Sequence, residues 1–127
     1  PHILQPIGWV TGVNQNKTLV VYSLGNFIAH SMTDYNTLGG MVTFDFVVAD
    51  DDTVTVENVQ FEPTVSHYVA DPWNVENTRR DFKIYKLEDY SEELASEHGL
   101  NGYEGFQVTP DNYLSMVKNV IPIEMLD

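Results

Sequence analysis

The chain has 127 residues and a mass of 14.4 kDa, one domain's worth of polypeptide, and its 43% hydrophobic content supports a core and excludes full disorder. Six Lys and Arg stand against 19 Asp and Glu, a formal net charge of −13, which excludes nucleic acid as the main partner because phosphate binding needs a cationic face. Cysteine is absent, which removes disulfide frameworks, Cys-ligated zinc and thiol nucleophiles.

Thr18–Leu24 is a short, nearly continuous apolar run, the pattern of a strand covered on both faces. Gly25-Asn26 ends it with turn chemistry. The polar stretch His30–Thr37 reads as a loop, and Gly39-Gly40 opens a second strand. Within Met41–Val48, Val42, Phe44, Phe46 and Val48 share one face while Thr43 and Asp45 share the other, the period of a half-buried strand. Asp50-Asp51-Asp52 follows, and Thr53–Phe61 alternates again, so the two runs predict a β-hairpin. The second run slips phase, with Val54 and Val56 on one parity and Val59 and Phe61 on the other, which predicts a β-bulge near Glu57-Asn58. Val65–Val69 and Phe82–Tyr85 are further strand candidates.

Helices come late. Asp89 followed by Glu92 matches a capping box, with Leu87, Tyr90, Leu94 and Ala95 at helical spacing and Gly99 as a stop. Thr109-Pro110-Asp111 is a strong helix start; Tyr113, Met116, Val117, Val120 and Ile121 form its apolar stripe, and Pro122 ends it. The expected class is α+β: a mostly antiparallel β-sheet with two C-terminal helices packed on it. Residues 1–127 form a single domain in this reading, with 1–70 the sheet portion and 71–127 the helical extension.

The longest stretches free of Asp, Glu, Lys and Arg are Pro1–Asn16 and Thr18–Thr33, 16 residues each and broken by polar residues. A spanning helix needs about 20 mostly apolar residues, so neither qualifies. No signal peptide is visible. The chain opens on Pro1 rather than Met and reads as a fragment or processed product of a larger protein.

Four histidines are the natural candidates for chemistry. His2, after a turn and before a strand, offers an imidazole lone pair to a metal, although by local sequence it reads first as an ordinary turn histidine. His30 reads as a loop residue, His67 as sheet surface, and His98 as a helix-end cation that complements the dipole. Asp50-Asp51-Asp52 lacks the alternating ligands and later Glu of a calcium loop and reads as a solvated hairpin turn. Arg79, Arg80, Lys83 and Lys86 hold four of the six basic residues; such an island can contact a polyanion or simply balance acidic neighbours. Ser23 sits in Tyr22-Ser23-Leu24-Gly25-Asn26, not in a nucleophile elbow. Phe27, Phe44, Phe46, Tyr85 and Tyr113 are placed at core periodicity.

Pro1-His2-Ile3-Leu4-Gln5-Pro6-Ile7 followed by Val20-Val21-Tyr22-Ser23-Leu24-Gly25-Asn26-Phe27-Ile28 resembles the C-terminal part of the CapA/PgsA-type bacterial capsule proteins, linked to poly-γ-glutamate synthesis. The resemblance runs to about residue 62. The stretch from Ile84-Tyr85-Lys86-Leu87 to His98-Gly99-Leu100 and the closing Val120-Ile121-Pro122 look like the C-terminal extension of Gram-positive members. That family resembles the calcineurin-like metallophosphoesterases, so the resemblance implies a fragment of an α/β/β/α sandwich with a two-metal site. His2 matches the last histidine of the family's late GHxH motif; the other ligand motifs would lie upstream of Pro1. Gln5, Ser23 and Asn26 would then hold ligands in place or contact substrate. A divalent metal is expected in the full-length parent, and no tight metal binding is expected in this chain alone, because one histidine does not make a two-metal site.

The resemblance implies a bacterial cell-surface protein, on the extracellular side, anchored through a missing N-terminal segment. Expected partners are the N-terminal remainder of the parent, a membrane synthase complex, and a second copy through an exposed sheet edge. Poly-γ-glutamate is a polyanion, so a chain of charge −13 would repel it unless a metal or the Arg79–Lys86 island intervened. Two other roles remain open: a non-catalytic scaffold or export partner of the synthase, and an acidic binding module.

Overall fold

Residues 1–126 are described in the computed structural model of the chain. The class is α+β, with antiparallel sheets and short helices. Strand β1 (Ile7–Thr11) turns back at residues 12–16 and pairs with β2 (Lys17–Val21), Ile7 opposite Val21 and Trp9 opposite Leu19. The apolar run at 18–24 is therefore not a strand covered on both faces. It belongs to a two-stranded sheet whose outer side has no further layer, so Leu19, Val20 and Val21 are only half-buried and Trp9 and Val10 are exposed.

The second sheet is a meander of β3 (Leu38–Val48), β4 (Val54–Val69) and β5 (Arg80–Lys86), in that order and antiparallel throughout. The hairpin and its phase slip are as the alternation predicts. Between the pairs Thr43↔Gln60 and Asp45↔Glu57, Phe44 faces the extra residue of a bulge. Asn58 there takes φ 52°, a left-handed conformation that Asn tolerates better than most residues. β4 absorbs both the 53–61 and 65–69 runs into one strand of 16 residues. β5 lies in the C-terminal half of the chain yet completes this sheet, so sheet and helices are not divided at residue 70.

Four short helices flank the sheets: α1 (Asp34–Thr37), α2 (Val75–Thr78), α3 (Glu92–Glu97) and α4 (Pro110–Lys118). α4 starts as expected, with the Thr109 hydroxyl accepting from the Asn112 N–H at 3.0 Å, a cap worth about 1 kcal/mol. α3 starts later than the Asp89–Glu92 pattern suggests. Asp89 lies in a 3-10 turn, and Ser91 caps the helix through the Leu94 N–H at 3.2 Å. The segment read as a loop at 30–37 ends in α1, whose Thr37 hydroxyl donates to the Asp34 carbonyl and accepts from the Tyr113 hydroxyl, each at 2.7 Å. That buried pair ties α1 to α4.

Phe61, Val65 and Tyr68 of β4, Leu38 of β3, and Tyr113 and Val117 of α4 form the centre of the core. Tyr113 is buried and Tyr85 half-buried as the periodicity suggests, but Phe27, Phe44 and Phe46 are exposed. For the last two the cause is length. The β3–β4 hairpin extends past the bulge, where no other element covers it, and Phe46 there is 69% exposed. Among the described residues no helix is long and apolar enough to cross a membrane.

Candidate functional site

The first six residues continue the β1–β2 ladder outward. Tyr22 donates its N–H to the Pro6 carbonyl at 3.2 Å, Gln5 to the Ser23 carbonyl at 3.0 Å, and Leu4 bridges Leu24. Residues 1–5 thus lie against 22–26. The turn at Gly25 then meets the start of β3, where Gly25 bridges Gly39 and the Gly40 N–H donates to the Leu24 carbonyl at 3.0 Å. Three backbone segments cross here, and two glycines make it possible. Gly25 takes φ +69°, and a Cβ on Gly39 would lie 2.0 Å from the Asn26 carbonyl oxygen.

The crossing gathers four of the residues singled out by sequence. The Ser23 hydroxyl donates to the Pro1 carbonyl at 3.3 Å and accepts from the Gly25 N–H at 3.2 Å, so it braces the turn. Gln5 takes part through its backbone, and its side chain is half-buried. The Asn26 amide nitrogen donates to the Asn36 carbonyl at 2.8 Å and the His2 carbonyl at 3.3 Å. Its two acceptors fix the amide orientation, and its Oδ1 faces His2 Nδ1 at 2.9 Å. An amide oxygen only accepts, so Nδ1 carries the proton. A neutral ring then keeps its lone pair on Nε2, and the His2 side chain is exposed. Metal-binding histidines are commonly fixed in this way, with the other nitrogen donating to an oxygen acceptor.

This geometry makes a spectroscopic prediction. In the chain at pH 8, ¹⁵N chemical shifts should show His2 protonated at Nδ1, against the usual Nε2 preference of a free side chain. Asn26→Leu should return it to Nε2. An Nε2-protonated His2 in the unmodified chain would mean that Asn26 does not orient the ring.

One imidazole is a weak anchor by itself. Among the described residues, no three of His, Asp and Glu converge where they could hold a metal ion. His2 and its support therefore fit one ligand of a site, not a complete donor set.

The basic residues are not gathered into one patch. The Arg79 guanidinium is bound to the His30 carbonyl and to the Glu76 carbonyl. Arg80 pairs with Asp71 at 3.2 Å, and Lys86 pairs with Glu62 and Glu88. Lys83 sits opposite His67 and Lys86 opposite Thr64 in the register, so the two leave opposite faces of β5. Clustering along a strand does not survive its alternation of sides.

His67 and His98 occupy quite different places from those their sequence neighbourhoods suggest. Neither is at the surface: they are 4% and 2% exposed. His67 is buried along with both its neighbours, Ser66 and Tyr68, so β4 is covered on both faces here and alternation gave no sign of it. Its Nδ1 is hydrogen-bonded to the Tyr90 hydroxyl at 2.8 Å, and burial lowers its pKa. His98 is not a cation at a helix end. Nε2 donates to the Ser66 carbonyl at 3.1 Å, Nδ1 accepts from the Leu100 N–H at 3.0 Å, and burial pushes the ring down to about 4. Both are structural groups inside an aromatic cluster with Tyr68, Tyr85 and Tyr90.

The triple aspartate forms the hairpin turn. Asp51 Oδ1 accepts from the Thr53 N–H at 3.0 Å, and this bonding to Thr53 holds its carboxyl below the usual value. A separate cleft of about 710 Å³ lies between β4 and α4, floored by Phe61, Leu87 and Leu114 and edged by Glu62, Lys86 and Lys118. None of His2, Gln5, Ser23 or Asn26 lines it. No family model, curated protein or solved structure matches this chain.

Proposed function

We propose that this chain is the C-terminal part of a CapA/PgsA-type protein of poly-γ-glutamate capsule formation, a portion of a calcineurin-like α/β/β/α sandwich working at the extracellular bacterial surface. In this reading His2 supplies one ligand to a divalent-metal site, and the remaining ligands and the membrane anchor belong to the rest of the parent. The supporting observation is that the two motifs carrying the resemblance meet in space, with Asn26 of the second orienting the ring of His2 in the first. When bound, a metal pair would polarise a phosphoryl oxygen and activate water. The chain's own contribution is to hold Nε2 of His2 outward and to brace the turn through Ser23 and Asn26. Gln5 keeps the first segment in register with the second.

The isolated chain is then hydrolytically inactive. Calorimetric titration with Mn²⁺ should give no micromolar binding to this chain and micromolar binding to the parent. His2→Ala in the parent should weaken it at least about tenfold, and Asn26→Leu by a similar factor. A parent whose Mn²⁺ affinity is indifferent to His2→Ala would remove His2 from the site.

A second reading is a non-catalytic scaffold or export partner of a membrane polyglutamate synthase. The bare outer part of the β3–β4 hairpin favours it, since such a surface suits a partner protein. A metal-free parent that still co-purifies with the synthase would separate the two readings.

A further inference from the structure

The outer β3–β4 ribbon, residues 43–58, has two unlike faces. Cross-strand partners share a side, and the register pairs Phe46 with Val56 and Val48 with Val54. Together with Phe44, which meets Phe46 edge-on with ring centroids 5.2 Å apart, they form one apolar face. It continues the side on which Val42 and the buried Phe61 pair further in. Inside the molecule that side is covered; outside it is bare, with Phe46, Val48 and Val54 at 69%, 64% and 56% exposure. The opposite face carries the pair Asp45↔Glu57, and the tip carries Asp50, Asp51 and Asp52.

No Lys or Arg occurs between Lys17 and Arg79, so every charged side chain of the ribbon is negative. That decides between occupants. A second copy added along the ribbon would bring its own acids beside Asp45, Glu57 and the tip, and an anionic membrane would repel the tip. A partner strand with apolar residues on one side and Lys or Arg on the other gains both terms. The ribbon also leaves its backbone edges open, because β5 pairs with β4 only from Thr64 to Val69. Open edges accept an added strand through main-chain hydrogen bonds.

We propose that residues 43–58 are a docking ribbon for a β-strand of another protein that alternates apolar and basic residues and adds along an open edge of the ribbon, so that its apolar side chains extend the Phe44, Phe46 and Val48 face and its cations stand beside Asp45 and Glu57 on the other face and near the Asp50–Asp52 tip. This surface is independent of His2 and of the reading built on it.

The probe is a labelled nine-residue peptide of alternating Val and Lys, with an alternating Val and Glu peptide as control, followed by fluorescence anisotropy with this chain. The Lys peptide should bind and weaken as salt is raised; the Glu peptide should not bind. Phe46→Ser with Val48→Ser should weaken binding at least tenfold, and Asp45→Lys with Glu57→Lys should do the same. Both pairs are exposed, and unchanged circular dichroism would show that the variants fold. Glu92→Lys with Glu93→Lys, on α3, should have little effect. Equal losses from the α3 charges would reduce the binding to general acidity and overturn the proposal. So would indifference to the Phe46 and Val48 changes. Concentration-dependent dimers in sedimentation that Phe46→Ser dissolves would assign the face to a second copy instead, and binding to phosphatidylglycerol vesicles lost in the same variant would assign it to a membrane.

Discussion

Replacing Gly39 with Ala should cost this chain about 3 kcal/mol or more, the upper range for overpacking. The added methyl would stand 2.0 Å from the Asn26 carbonyl oxygen and 3.3 Å from that of Leu24. Both are backbone atoms, so neither can rotate away as a side chain would. Relief requires the 24–26 turn to separate from β3, which breaks the Gly25–Gly39 bridge and the Gly40 to Leu24 hydrogen bond. Urea unfolding should therefore show a midpoint lowered by roughly 1–3 M for a protein of this size. Gly8→Ala is the control: nothing lies within 4 Å of the added atom, and its unfolding free energy should stay within about 0.5 kcal/mol of the original. Equal midpoints for the two variants would mean that the segments do not cross as described.

The second large effect comes with acid. His98 is neutral in the folded protein, fixed by one donated and one accepted hydrogen bond, and burial lowers it from the ordinary 6.5 to about 4. A protonated ring could no longer accept from the Leu100 N–H. Because the folded value is depressed, the unfolded chain takes up the proton first as pH falls. The stabilisation is complete above about pH 6.5 and is lost progressively down to about pH 4, on the order of 3 kcal/mol in all. His67 shifts in the same direction, with burial as its leading cause, and adds to the slope. Unfolding free energy measured between pH 7 and pH 5 should fall, and His98→Gln, which keeps a neutral donor and acceptor, should flatten that fall by up to about one proton's worth, or ~1.4 kcal/mol per pH unit. Comparing slopes removes whatever constant cost the substitution carries. Parallel curves would show that His98 is not the buried titrating group.

Much of the second sheet was legible because its signals are local. Alternation located the hairpin, the parity change between Val56 and Val59 located the bulge, and Thr109-Pro110 located the start of α4. β1 escaped notice because the five residues Ile7–Thr11 include a glycine and become a strand only by pairing with β2. The capping pattern at Asp89 lost to Ser91 because the chain first makes a 3-10 turn over Leu87–Asp89. Burial was the least legible property. The alternation that marks Phe44 and Phe46 as one face says nothing about whether another layer reaches them. The site divides in the same way: both motifs stand in the sequence, but the hydrogen bond from His2 to Asn26 spans 24 positions, and only the Leu4–Leu24 ladder brings its ends together.

The 16 residues of β4 have a further consequence for how the protein breathes. In its inner part Thr64 and Val65 are flanked by strands on both sides and the stretch from Thr64 to Tyr68 is buried, whereas its outer part has β3 alone for company and water around it. A single strand therefore spans two regimes of local stability. The tip and outer rungs can open while the inner rungs stay closed, because separating them uncovers no part of the core. The bulge at Asn58 is the natural boundary, since the ladder is already interrupted there. The ribbon can twist, open or accept another strand without drawing on the free energy that keeps the rest of the chain folded.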